Sequence, residues 1–553
     1  MDVFSRDFEF FAHPTSKGLS AQDIVQHAAS IEAMITKHSV GLDDNDEIPT
    51  TDRCSSRNPR PANETVLLTG STGNLGCYIL ASLLSRDNVQ RVYAFNRKST
   101  NRDIMERHRA QFEEKELDMA LLSSPKLVLL EGDIKLSSLG LSKKMFIKLQ
   151  QELTTIIHNA WFSNFSLPLS SYDDHIQGTR TLIDLARSSE RRNEIRFLFT
   201  SSITMAQNWD ESQGPYPETL VTDAATAAGS GYGESKYVAE RLLARSGLEV
   251  ISLRIGQICG GEPNGAWKPM EWFPLCVKAC WYLGAIFVPT LNSNWTTMDT
   301  TSDIILDIVF HKDSLPFAAN IVHPRPVASE FILYAVRDAL IQELGHGLSS
   351  DDSLRQVSVQ EWINLLEQSA TRHRSEPRNI TRLFSKIIFS LPPFVTLDIS
   401  NTMKLSEKMN ALEPIDAGLV SKWVKFWIAS GELSLEFTYR DFLSRALSTT
   451  AGGTTSRWRS EIARPNQSYN RIESGSFDLF ESFFVVLWPF TSMSLRSQVN
   501  EVPEVVESRL GGIGGSELSG QRYALVLRFS SMISPPVNGH WSKPELQGCN
   551  VEP

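Results

Sequence analysis

Tyr232 and Lys236, in the stretch YGESK, lie four residues apart. On a helix that spacing puts a phenol and an amine on one face. Upstream, the apolar run RFLFT (196–200) ends in Ser201 and Ser202. Together these groups suit hydride reduction of a carbonyl, which leaves negative charge on oxygen. A phenol can donate a proton to that oxygen, and a positioned acid is worth about 10²- to 10⁴-fold in rate. The free phenol titrates near ~10, and a neighbouring ammonium should favour its phenolate. Lys236 can also hold a nicotinamide ribose. A serine hydroxyl adds a second donor, worth about 3–4 kcal/mol to a developing oxyanion. Ser202 is preferred over Ser201 because it immediately precedes the apolar Ile203.

The partner for such a triad is a hydride donor, and TVLLTGSTGNLG (65–76) can hold one. An apolar strand runs into Gly70, Gly73 and Gly76 and then into a helical pattern. The first glycine permits a sharp turn, the second lets backbone approach a pyrophosphate, and the third lets helix pack on strand. The helix N-terminus offers free N–H groups to phosphate. Thr69, Thr72, Asn74 and Leu75 complete the expected cofactor loop. The second strand ends in AFNRKS, with Asn96, Arg97 and Lys98 where an NAD site would carry a carboxylate. Cations there fit a 2′-phosphate, so the expected cofactor is NADPH. Asp133 and Ile134 of EGDI could meet the adenine, and Asn159 and Ala160 of HNAW would lie beside the cofactor.

The elements that must position these groups are apolar strands alternating with helical segments. Expected strands are 65–69, 91–95, 126–130, 155–158, 196–200 and 250–255, with helices over Asn74–Leu84 and His175–Arg187 among the crossovers. This pattern predicts an α/β fold, a Rossmann-type doubly wound parallel sheet. A smaller, mainly helical C-terminal substrate domain is expected to follow, with helical patterns at Leu333–Leu344 and Ala417–Ile428. The expected organisation is residues 1–45 with a helical pattern at Ile24–Ile35, a linker 46–63, a cofactor domain 64–261, a substrate domain 262–446 and a poorly ordered tail 447–553.

The chain has 553 residues and a net charge of −10, which argues against a nucleic-acid binder. No apolar run approaches the roughly 20 residues of a spanning helix, so no membrane insertion is expected. Six cysteines without a disulfide rhythm suit a reducing, cytoplasmic setting. Cys276 and Cys280 could share a helix face, but no second ligand pair accompanies them, so no metal is expected.

With these motifs assembled, the chain resembles the thioester reductase domains of fungal adenylate-forming reductases and reductive nonribosomal peptide synthetases, within the extended short-chain dehydrogenase/reductase superfamily. The motifs are LLTGSTGNLG, IIHNAWFSNF, FTSSI, YGESKYVAERLL and LRIGQICGG, then GAWKPMEWFP, MDTTSDI, VHPRP, ISNTMKLSEKM and WVKFWIASGEL, spanning about residues 62–445. The resemblance implies Ser202, Tyr232 and Lys236 as the catalytic triad and reductive release as the reaction in secondary-metabolite biosynthesis. Hydride attacks an acyl thioester, and the hemithioacetal collapses to an aldehyde and a thiol; some relatives reduce further to an alcohol.

Residues 8–35 look like the last helical part of a carrier domain, without its attachment serine or an adenylation domain. The substrate is therefore expected in trans, on an acyl-loaded phosphopantetheine carrier protein or as acyl-CoA. Alternatives are an extended reductase or epimerase acting on a free carbonyl or sugar, a fatty-acyl-CoA reductase, and a non-catalytic dinucleotide-binding scaffold. The last would be expected to lose Tyr232 or Lys236, and both remain.

Overall fold

In the computed structural model, residues 19–43, 61–165, 167–287, 291–344, 354–372 and 395–433 are described. The tail 447–553 and most of the linker 46–63 lie outside the described residues. Seven strands form one sheet: β1 (Glu64–Thr69), β2 (Val89–Arg97), β3 (Leu127–Gly132), β4 (Thr155–His158), β5 (Arg196–Ser202), β6 (Glu249–Ile255) and β7 (Ala318–Ile321). Their order is 3-2-1-4-5-6-7, and every pairing is parallel. The strand order reverses between β1 and β4, which opens a crevice above their C-terminal ends.

Strand side chains alternate between two apolar faces. Leu67, Tyr93, Phe95, Phe197 and Phe199 enter one core; Val66, Leu68, Val92, Ala94 and Leu198 enter the other. Helices cover both. The first face takes α1 (Ala21–His38) and, further along the chain, α4 (Lys143–Glu152), α5 (Asp173–Arg187) and α6 (Gly231–Ala244). The second takes α2 (Asn74–Ser85), α3 (Ile104–Glu114) and α8 (Met298–Val309). Doubly covered strands need no polar face, which is why they read as continuous apolar runs.

The sheet does not end at residue 261, where the sequence reading ends the cofactor domain. Helix α8 packs on α2, and β7 pairs with β6 from Ala318↔Ser252 to Ile321↔Ile255. The stretch AANI was not expected as a strand because it is short and carries a polar residue. Asn320 is buried there and donates to the carbonyls of Tyr216 (3.1 Å) and Asp398 (2.7 Å).

A third apolar cluster forms a second lobe from α7 (Trp272–Leu283), α9 (Ser329–Leu344), α10 (Val359–Arg372) and α13 (Ala417–Ala429). Short helices α11 (Ser400–Leu405) and α12 (Glu407–Asn410) lie between α10 and α13. The lobe is helical but not purely so: Ala285–Phe287 pairs with Arg355–Val357. Its centre is aromatic, with Trp267 stacked on Phe273 at 5.2 Å and edge-on to Trp423 at 5.1 Å.

One buried ion pair locks α6 to β6. Arg254 donates to both oxygens of Glu240 (2.8–3.2 Å) and to the carbonyls of Pro217 and Thr219, while Ser201 donates to Glu240 at 2.6 Å. Breaking such a pair strands a buried charge at a cost of about 3–5 kcal/mol. Glu240→Ala should therefore shift the chemical denaturation midpoint clearly downward, and Glu240→Leu with Arg254→Leu should recover part of the loss. An unshifted midpoint in Glu240→Ala would contradict this account.

Candidate active site

The glycine loop is packed too tightly for side chains. Gly70 has φ +73°, and a Cβ there would lie 2.9 Å from the Ala160 Cα. A Cβ on Gly76 would come 2.1 Å from the Gly70 carbonyl oxygen. Gly73 is the N-cap of α2, where no side chain caps the helix. The first-turn N–H groups therefore remain open to a phosphate. Leu75 serves the core, so only its backbone can serve a ligand.

Polar groups hold this cradle in shape. Thr69 Oγ1 accepts from the N–H groups of both Asn159 and Ala160 at 3.0 Å, joining β1 to the end of β4. Asn96 is buried and accepts from the Thr72 hydroxyl at 3.0 Å and backbone N–H at 3.3 Å; its amide donates to Ser71 at 2.7 Å. Of the three residues at this strand end, Asn96 thus braces the loop, whereas the two cations expected at a 2′-phosphate, Arg97 and Lys98, are exposed.

Arg107 on α3 joins them, donating to the Arg97 carbonyl (2.9 Å) and the Thr72 hydroxyl (3.1 Å). Burial lowers its pKa, Glu131 opposes that, and Arg97 adds to it. Nothing in the sequence marked Arg107, because only folding brings α3 back to the end of β2. Asp133 accepts from the Lys135 N–H at 3.0 Å, and Ile134 packs on Gly178 of α5. Both sit just past the C-terminal end of β3.

The hydroxyl, phenol and amine converge at the C-terminal ends of β4 and β5. Ser230 caps α6, accepting from the Gly233 N–H at 3.3 Å. The helix then carries Tyr232 and Lys236 inward. The Tyr232 phenol faces the Ser202 and Ser163 hydroxyls, which pull its pKa down, and Ser202 Oγ accepts from the Thr204 hydroxyl at 2.7 Å. Successive strand residues face opposite ways, so Ser202 reaches the phenol while Ser201 turns to Glu240. Lys236 Nζ donates to the Thr200 carbonyl at 2.6 Å and lies 4.3 Å from the Trp161 ring and 4.7 Å from that of Phe199.

The electrostatics depart from expectation. Burial pushes the Tyr232 phenol above its ordinary value, and hydrogen bonds with Ser163 and Ser202 pull the other way. The expected fall of the phenol beside an ammonium is reversed because this site excludes water. Burial also drives Lys236 well below its ordinary value, against the opposing charge of Glu240. His158, fixed between Thr69 (2.9 Å) and Thr179 (3.1 Å), is likewise driven down by burial. His175, beside Trp161, is pushed down to about 4, chiefly by burial and then by Lys236.

The sequence reading named neither Trp161, Ser163 nor Phe165 as site residues. Phe165 lies 4.8 Å from the Tyr232 ring and is 42% exposed. All three fall within the quoted run IIHNAWFSNF, so position after a strand end was the available signal. The motif WKPMEWFP builds the join to the second lobe: Glu271 accepts from Trp267 (2.9 Å) and from Asn74 of the cofactor loop (3.2 Å). A separate cleft of about 440 Å³, bounded by Glu262, Trp295, His323, Ile415 and Lys422, includes none of Ser202, Tyr232 or Lys236.

Comparison with known proteins accords with this geometry. Residues 68–307 match the family described as male sterility protein, an NAD-binding domain. The chain is 44% identical over 386 residues to adenylate-forming reductase Nps11 of Serpula lacrymans var. lacrymans, covering 66% of this chain and 35% of that protein. It is 39% identical to Nps9 of the same fungus, covering 72% of this chain and 38% of the relative. The chain thus spans about a third of the length of these curated relatives. Among solved structures, the terminal R domain from the myxalamid PKS-NRPS biosynthetic pathway matches with a TM-score of 0.59 and 26% identity, over 73% of this chain and 98% of that one.

The fold and the glycine cradle define a nicotinamide-dinucleotide-binding oxidoreductase domain. The chain carries a reductase domain of the type found in adenylate-forming reductases and nonribosomal peptide synthetases.

Because Ser163 and Ser202 both pull the Tyr232 pKa down, Ser202→Ala should raise it further, and Ser163→Ala with Ser202→Ala should raise it most. The check is the phenolate absorbance titration, taken as a difference against Tyr232→Phe. A titration unmoved by either change would show that these hydroxyls do not reach the phenol.

Proposed function

We propose that this protein is an NADPH-dependent reductase that releases an acyl group from a carrier-bound or CoA-bound thioester as an aldehyde, in secondary-metabolite biosynthesis. The observation that carries this reading is the convergence of Ser202, Tyr232 and Lys236 beside the glycine cradle. Gly70, Gly73, Asn74 and Gly76 would hold the pyrophosphate, and Arg97, Lys98 and Arg107 the 2′-phosphate. Asp133 and Ile134 would meet the adenine, Asn159 and Ala160 would flank the cofactor, and Lys236 would hold the nicotinamide ribose. The reduced nicotinamide, when bound, supplies the hydride.

This chain's residues then manage charge and protons at the substrate. Ser202 donates a hydrogen bond to the thioester oxygen. Tyr232 delivers its proton as that oxygen becomes anionic, and the raised phenol pKa keeps the proton available near neutrality. Collapse of the hemithioacetal breaks the carbon–sulfur bond and yields an aldehyde and a free thiol. The Trp161 and Phe165 rings beside Tyr232 and Lys236 offer apolar walls that keep water from the site. We place the protein in the cytoplasm, which suits the free buried thiols of Cys77, Cys259, Cys276 and Cys280. Among the described residues, no helix is long and apolar enough to cross a membrane.

NADPH oxidation on mixing with acyl-CoA or acyl-carrier thioesters tests the activity directly. Tyr232→Phe should lower kcat by about 10²- to 10⁴-fold, whereas cofactor binding without turnover across varied thioesters would favour a scaffold.

The cofactor choice has its own test. Arg97→Asp should raise the KM for NADPH about tenfold or more, since a charge-assisted contact is worth roughly 1.5–3 kcal/mol, and should leave the KM for NADH nearly unchanged. Equal effects on the two cofactors would remove the case for NADPH.

A further inference from the structure

Every one of the fourteen residues of α6 is buried, an unusual state for a helix on the face of a sheet. One side carries Tyr232 and Lys236 toward the strands. The outer side is covered by α1 and by the short helical turn Ala224–Ala227. Ile31 and Ile35 of α1 belong to the same apolar core as Tyr232, Tyr237 and Val238.

Between Tyr232 and Lys236 stands Glu234, whose side chain is only 3% exposed. It turns outward, and its Oε1 lies 2.5 Å from His27 Nδ1 of α1 and accepts from the Gly229 N–H at 3.1 Å. Further along, Arg241 of α6 reaches Glu32 of α1 at 3.2 Å. The end of α1 is tied to α5: Arg180 donates to the carbonyls of His38 (2.8 Å) and Val40 (2.6 Å), and Arg187 to that of Gly41 (2.8 Å). Asp23 on α1 is the ionisable neighbour of His27, and one stretch further along, Glu32, Asp223 and Arg241 gather around Tyr237.

A buried carboxylate is stable only when partnered. Burial pushes the Glu234 pKa up, and the Gly229 N–H and His27 oppose that rise. Without His27 the carboxylate keeps the backbone donor but loses its tie to α1, which lets α1 and α6 shift apart. Such a shift acts on the turn that holds both the phenol and the amine. A misplacement of about 1 Å can cost on the order of a hundredfold in rate.

We propose that His27 and Glu234 are positioning residues for Tyr232 and Lys236, so that residues 21–43 are a working part of the reductase. The proposal rests on the proton-delivery reading given under Proposed function. The sequence reading assigned this segment to the end of a carrier domain, and its docking against α6 gives it a second role.

The test compares His27→Ala, His27→Gln, Glu234→Gln and the His27→Ala/Glu234→Gln double variant in the full chain. Two readouts are needed: kcat and KM for NADPH with a series of acyl-CoA thioesters, and amide hydrogen exchange over 229–244 in the free protein. His27→Ala should lower kcat about tenfold with the KM for NADPH changed by no more than roughly twofold, and should speed exchange in 229–244 and in the facing α1 but not across the sheet. His27→Gln retains a donor and should restore most of both. The double variant should be no worse than the worse single one.

Wild-type kcat and exchange in His27→Ala would overturn the proposal, as would faster exchange spread evenly over the sheet. If the wild-type chain reduces no acyl-CoA or carrier thioester, the functional reading fails. The exchange comparison then still decides whether the pair holds the catalytic turn.

Discussion

An amine held at the C-terminal edge of the sheet, shielded from water, is the constraint on which this site depends. Lys236 is enclosed by Trp161, Phe199 and Tyr232, and its one close polar partner in the strands is the Thr200 carbonyl. Desolvation there is costly, and the fall in the Lys236 pKa expresses that cost. The position is held from both sides of α6: the Glu240–Arg254 pair and Ser201 fix its inner side, and α1 covers its outer side. The same contacts present the phenol to Ser202.

The two lobes are joined at chemically telling places. Glu271, half-buried at the N-terminal end of α7, accepts from both Trp267 of the aromatic cluster and Asn74 of the cofactor loop. A residue that shapes the second lobe thereby touches the first turn of α2, where phosphate is expected. At the far edge of the sheet, Glu218 accepts from the backbone N–H groups of Asn320, Asn401 and Thr402, tying the segment that starts α11 to β7. Helices α11 and α12, whose Leu405 and Met409 join the core on the second face of the sheet, are thereby fixed to it through buried polar contacts as well as apolar ones.

Much of this was legible in the sequence. All six expected strands form, because doubly covered parallel strands announce themselves as apolar runs, and the glycine spacing leads into α2 as read. The helical patterns at Ile24–Ile35, His175–Arg187 and Ala417–Ile428 sit within α1, α5 and α13. What escaped depended on distant packing. β7 is short and takes its place by pairing with β6, not by its own pattern. Arg107 joins the cation cluster only because α3 folds back on β2. The rise of the Tyr232 pKa could not be read from an adjacent lysine, since burial of the whole helix sets its sign.

The most direct measurement is a crystal structure of the chain with NADP bound. The account predicts a pyrophosphate over Gly73 at the start of α2, a 2′-phosphate among Arg97, Lys98 and Arg107, and a nicotinamide ribose against Lys236 with the phenol and the Ser202 hydroxyl facing the ring. A dinucleotide seated elsewhere, or one whose nicotinamide points away from Tyr232, would contradict it.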